Sequence, residues 1–208
     1  THNTGDVVLG TDGASLTLNG KSNTIDGSGA GYVFNGNGRV VFTNDGAAEL
    51  AIPSDVRINR VEVDGAEGLT LTDDFALTTT DLVLTDGTLR HGTQLVAQAG
   101  GSGRVTVVNG SLDGNFETGT RPTTVEYNHT GDITAGTELS GDVQNVAVDG
   151  DGTVTVDNSF TVTNNLNLSS GTLAAGDQLT FGDGSQVNRS GGSLTGSPSV
   201  TDNFELTV

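Results

Sequence analysis

Val61-Glu62-Val63-Asp64-Gly65 returns as Val146-Ala147-Val148-Asp149-Gly150, 85 residues further along the chain. The correspondence extends in both directions of chemistry, apolar and turn-forming. Leu69 and Leu71 match Val154 and Val156, and Phe75 matches Phe160. After one deletion, Leu82, Leu84, Gly87, Thr88 and Leu89 match Leu166, Leu168, Gly171, Thr172 and Leu173. Gly110-Ser111-Leu112 then matches Gly192-Ser193-Leu194. Repetition of this length calls for a repeat architecture. Inside each long unit, short runs with period-2 alternation of Val, Leu, Ile and Thr are separated by Gly, Asn, Asp and Ser, which is the signature of half-buried strands between turns. The spacing leaves no room for crossover helices.

Two all-β architectures fit this pattern, a right-handed parallel β-helix and an array of β-sandwich domains. The β-helix is preferred because Gly-Thr-Leu and Gly-Ser-Leu recur within a unit at Gly87 and Gly110, and again at Gly171 and Gly192. That interval, on the order of 20 residues, is one coil, and it stacks like residues in ladders. The expected organisation is one continuous β-solenoid over residues 1–208 of about ten coils, roughly 50 Å long at about 4.8 Å per strand. It divides into a weak partial repeat at 1–55, a long repeat at 56–142 and a second at 143–208.

Composition agrees with a thin core. Only 33% of the chain is hydrophobic, with 32 Gly and 3 Pro, and stacked coils stay folded with little apolar bulk because backbone ladders satisfy most polar groups. The alternating β-branched runs argue against disorder despite a net charge of -18. Lys21 is the single lysine, so nucleic acid and anionic membranes are electrostatically unsuited partners. Nine Asp directly precede Gly, from Asp12-Gly13 to Asp183-Gly184, and this pairing belongs to tight turns. There is no Cys, no Met and no apolar stretch long enough to span a bilayer, so neither disulfides nor membrane insertion is expected.

Val162-Thr163-Asn164-Asn165-Leu166-Asn167-Leu168-Ser169-Ser170-Gly171-Thr172-Leu173, together with Val61-Glu62-Val63-Asp64-Gly65, resembles the degenerate repeats of large bacterial surface β-solenoids, including adhesin-like and autotransporter-like proteins. The likeness covers residues 56–208 well and the first 55 weakly. It implies a solenoid fold and an extracellular, secreted or cell-surface location.

The two ends also resemble an internal junction. Residues 2–11 are similar to 128–137, and Phe204-Glu205-Leu206-Thr207-Val208 is similar to Thr124-Val125-Glu126-Tyr127, the strand just before it. A chain opening Thr1-His2-Asn3 reads as a processed chain or a piece of a longer one. Solenoid ends expose unpaired backbone groups, and head-to-tail contacts that do not close give open filaments. The expected assembly interface is Thr4, Gly5, Asp6, Val7, Val8 and Leu9 against Phe204, Glu205, Leu206, Thr207 and Val208 of the next copy, making a homopolymer. The expected role is thus a structural subunit of a bacterial filament or surface layer. An adhesin segment that binds carbohydrate, with extracellular polysaccharide as partner, is the second reading, and a carbohydrate-active enzyme the third.

No catalytic constellation stands out. His2, His91 and His129 have no second His at metal spacing and read as polar surface residues. Calcium is the candidate cofactor, since Asp149 with Asp151, and Asp73 with Asp74, present hard oxygens on short segments. An ordinary turn role for these Asp is the competing and preferred account. Phe75 and Phe160 mark a repeated interior position.

Overall fold

In the computed structural model the described residues are 7–8, 15–18, 22–24, 33–35, 39–43, 48–51, 57–58, 60–72, 76–79, 81–91, 94–97, 103–114, 123–201 and 205–207; side chains are described at 39–43, 60–70, 81–90, 103–114 and 123–201. The fold is an all-β solenoid. Every strand pairing among the described residues is parallel, from Val7–Val8 on Val33–Asn35 to Gln186–Arg189 on Glu205–Thr207, whereas sandwich domains pair their strands antiparallel. The one helical element among the described residues is a single 3-10 turn, Thr137–Leu139.

The chain winds over three sides. The first side stacks Val7–Val8, Val33–Asn35, Arg57–Ile58, Ala76–Thr79 and Gln94–Ala97. The second begins with Ser15–Leu18, Arg39–Phe42, Arg60–Asp64, Asp81–Asp86, Arg104–Val107 and Thr124–Tyr127. The third stacks Ser22–Thr24, Ala48–Ala51, Leu69–Thr72, Thr88–His91 and Ser111–Asp113; a separate sheet then takes over, with Ile133–Ala135, Thr153–Val156, Thr172–Gly176 and Ser193–Gly196.

Among the described residues the second side stacks ten rungs, from Ser15–Leu18 through Gly141–Val148 and Gln186–Arg189 to Glu205–Thr207. The first five coils carry a separate strand on each of three sides. Beyond them, Gly141–Val148 and Phe160–Leu168 each run along two sides without a break. The physical cause is a one-residue bulge at the corner, where Val143 pairs with Val162 but Asn145 pairs with Asn165. Asn145 holds that corner. Its Nδ2 donates to Thr123 O at 3.0 Å, and its Oδ1 accepts from Asn164 Nδ2 at 2.8 Å and Asn165 Nδ2 at 3.2 Å. Asn145 N also donates to Thr123 O at 2.9 Å, so backbone and side chain of one residue tie the corner to the rung before it.

The core is a set of ladders. On the second side the register links Val40, Val61, Leu82, Val105, Val125, Val146, Leu166 and Val187 in one column, and all are buried. A parallel column holds Phe42, Val63, Leu84, Val107, Tyr127, Val148 and Leu168. The 85-residue sequence repeat is therefore four strand steps on this sheet, carrying Val61 to Val146 through Leu82, Val105 and Val125. The shorter repeat is one step: Thr88 stands on Ser111 and Thr172 on Ser193, with hydroxyls 2.9 and 2.7 Å apart. Phe160 and Phe181 are interior, as expected, while Phe75 lies outside the described residues.

Rungs this close leave no space over some turns. Gly87 has φ +70°, and a Cβ there would meet Gly65 O at 2.0 Å. Only glycine combines that conformation with that approach. On the outer surface, Arg39–Glu62, Arg60–Asp81 and Arg104–Glu126 are ion pairs between neighbouring strands of the second side. Three of the chain's few cations thus offset acidic residues on one face.

Leu84 is fully buried and Val83, its neighbour on the same strand, points outward and is half-buried. Denaturant unfolding of Leu84→Ala is expected to show a loss of about 2–5 kcal/mol, against less than about 1 kcal/mol for Val83→Ala. Equal losses would contradict the inward–outward alternation.

Candidate functional site

The solenoid departs from regular repetition at one place on its third side, between Ser111–Asp113 and Ile133–Ala135. These strands belong to different sheets. The sequence departs there too, because Gly-Thr-Leu becomes Gly136-Thr137-Glu138-Leu139. The added residue turns the chain into the short 3-10 segment and sends Glu138 inside, where it is fully buried.

Side chains of that turn replace the missing backbone ladder. Leu112 N donates to Glu138 Oε2 at 3.0 Å. Thr137 Oγ1 donates to Leu112 O at 3.2 Å and accepts from Gly114 N at 3.1 Å. Glu138 Oε1 accepts from Gly136 N at 2.8 Å and from the Tyr127 hydroxyl at 3.0 Å. Tyr127 occupies a core column otherwise filled by aliphatic residues and Phe42, and a buried phenol needs a partner for its O–H. The pair therefore solves two problems together, an unpaired strand edge and an interior hydroxyl.

Burial dominates the electrostatics of this seam. It raises the Glu138 carboxyl above its ordinary range, although hydrogen bonds from backbone N–H groups and from Tyr127 pull the other way. Tyr127 is raised well above the usual phenol range, first by burial and then by the adjacent Glu138. Its hydroxyl stays protonated as a donor.

His129 is the second feature hidden from sequence reasoning. It is 2% exposed, not a surface residue, and neither ring nitrogen has a hydrogen-bond partner. The reason is its upper neighbour: a Cβ at Gly150 would lie 2.2 Å from His129 Nδ1, so the ring fills space that only a glycine leaves. His91 contributes backbone to a strand, and His2 lies outside the described residues.

Asp149 and Asp151 are exposed on one turn. Asp149 Oδ1 accepts from Ser170 Oγ at 3.1 Å, a rung-to-rung contact. Asp73 and Asp74 lie outside the described residues, and among the described residues no group of three His, Asp or Glu is arranged to hold a metal ion.

Of the expected assembly residues, Thr4, Gly5, Asp6, Leu9, Phe204 and Val208 lie outside the described residues. Val7–Val8 pairs with Phe34 and Asn35, and Glu205–Thr207 pairs with Gln186, Val187 and Asn188. Val7–Val8 belongs to the first side, whereas Ile133–Ala135, its counterpart in the sequence comparison, belongs to the third. The likeness of 2–11 to 128–137 is thus local and does not carry the coil phase.

No known protein family, curated protein or solved structure matches this chain. The reading of its function rests on the geometry above.

The seam makes a signed pH prediction. With the folded carboxyl raised, the native state keeps the Glu138 proton over an interval where the unfolded chain has lost it, so this group's contribution falls as pH rises through that interval. The melting temperature of the wild type relative to Glu138→Gln should therefore decrease from pH 4.5, the ordinary carboxyl value, toward neutrality. A difference that stays constant would mean an ordinary carboxyl. Tyr127→Phe, which leaves Oε1 with one donor fewer, is expected to cost about 1–3 kcal/mol.

Proposed function

We propose that this chain is an architectural protein of the bacterial exterior, a structural subunit that stacks end to end into a filament or surface layer. The observation that carries the reading is the parallel ladder at its last described strands. Ser199–Val200 pairs on one edge, with Thr180 and Phe181, and Glu205–Thr207 pairs on one edge, with Gln186–Asn188. Among the described residues no strand lies on the opposite edges. Such edges present N–H and C=O groups in the spacing that another rung requires. Val200 is 53% exposed, the exposed large hydrophobic side chain among the described residues.

Stacking a second copy there satisfies the edge groups and covers Val200 with one and the same contact. The contact is heterologous, so repetition builds a rod rather than a closed ring unless its rotation closes. Because Val7–Val8 and Ile133–Ala135 occupy different sides, the junction depends on open edges and not on sequence phase. The acidic surface, with its net charge of -18, opposes lateral clumping and favours growth along the axis.

A dilution series of the purified chain tests this by analytical ultracentrifugation and electron microscopy. Rods that lengthen with concentration are expected, and Val200→Asp, which changes an exposed residue, should leave the melting temperature within a few degrees while shortening or abolishing them. Uniform monomers across the series would overturn the proposal.

A further inference from the structure

The seam that Glu138 closes on the inside leaves a groove on the outside. It is a shallow, open groove of about 380 Å³ and lies where Thr88–His91, Ser111–Asp113 and Ile133–Ala135 follow one another along the axis, with Asn158 at its far end. That volume falls within the roughly 300–1,000 Å³ of small-ligand clefts. With strands spaced about 4.8 Å apart, the groove extends roughly 14 Å along the rod, a shape for a chain-like ligand more than for a compact one.

Its chemistry narrows the ligand. Arg90 and Asp113 stand in register on adjacent strands and both are exposed. Arg90 directs Nη1 to Glu67 O at 3.2 Å, and a guanidinium carries further N–H donors. The Thr134 hydroxyl is exposed, and Asn158, anchored by Nδ2 to Gly136 O at 3.2 Å, brings an amide. One cation and one anion cancel, leaving donors and acceptors interleaved with the aliphatic carbons of the outward-facing Thr88, Arg90 and Thr134 side chains. An apolar ligand would strand those polar groups, and a polyanion would meet the field of a chain with net charge -18. Hydroxyl-rich rings with C–H faces offer both kinds of surface at once.

We propose that this groove binds a neutral oligosaccharide segment lying along the rod axis. The site occurs where the repeat is broken, and the break is held by a buried carboxyl group, a costly one to place in a core built mainly of apolar side chains. The inference does not depend on self-assembly, because every residue named belongs to one copy.

Calorimetric titration of the dispersed chain with maltohexaose, cellohexaose and N-acetylchitohexaose, with hexagalacturonate as the anionic comparison, tests it. At least one neutral hexasaccharide should bind. Arg90→Ala combined with Asp113→Ala should weaken that binding by at least about tenfold, and Thr134→Trp, which fills the groove from an exposed position, should abolish it. Asp177→Ala, an exposed change outside the groove, should bind as the wild type does. Unchanged melting temperatures will show that the variants remain folded. The proposal is overturned if no neutral hexasaccharide binds, if hexagalacturonate alone binds, or if binding survives the groove substitutions.

Discussion

The whole molecule depends on register between parallel strands. A chain with 33% hydrophobic residues cannot enclose a thick core, and it does not need one if each inward side chain lands on another inward side chain a rung away. One slip of a single residue would send every Val and Leu of a strand outward and every Thr and Asn inward. The second side keeps its register from Val40 to Val187, and the other features of the fold serve that continuity. Gly87 lets turns approach within contact distance. Asn145 ties the corner of a strand to Thr123 on the rung before and to Asn164 and Asn165 on the rung after. The ion pairs of the second side join neighbouring strands on the outer face, where like charges in register would push rungs apart.

The seam at Glu138 shows what happens when continuity fails locally. Two sheets end and begin on the same side of the coil, and an unpaired N–H inside a dry core costs as much as a lost hydrogen bond or more. A carboxylate with three protein donors repairs the edge, at the expense of burying a charge. That trade explains why Tyr127, the only described aromatic hydroxyl in the core columns, sits on the strand before the 3-10 turn.

Much of the fold was legible in the residues, because stacking puts like chemistry on like chemistry. The equivalence of Val61 with Val146, and of Thr88 with Ser111, translates directly into strand register. Legibility stops where one side chain acts on a distant rung. Glu138 contacts Leu112 across 26 residues, and no local pattern announces that reach, although the extra residue in Gly136-Thr137-Glu138-Leu139 and the Tyr in a Val/Leu column both mark the place. The polar setting of His129 in the sequence points to the surface, and its burial depends instead on Gly150 one rung above.

Stacked register is open to direct measurement, since a chain without cysteine accepts paired spin labels at chosen sites unambiguously. Val83, Thr106, Glu126, Ala147, Asn167 and Asn188 occupy one outward column. Labels at 83 and 167, and at 83 and 188, should give distances of about 19 and 24 Å, differing by one strand spacing of about 4.8 Å. Distances that fail to lengthen by one spacing from residue 167 to residue 188 would contradict the stacked coil and everything built on it.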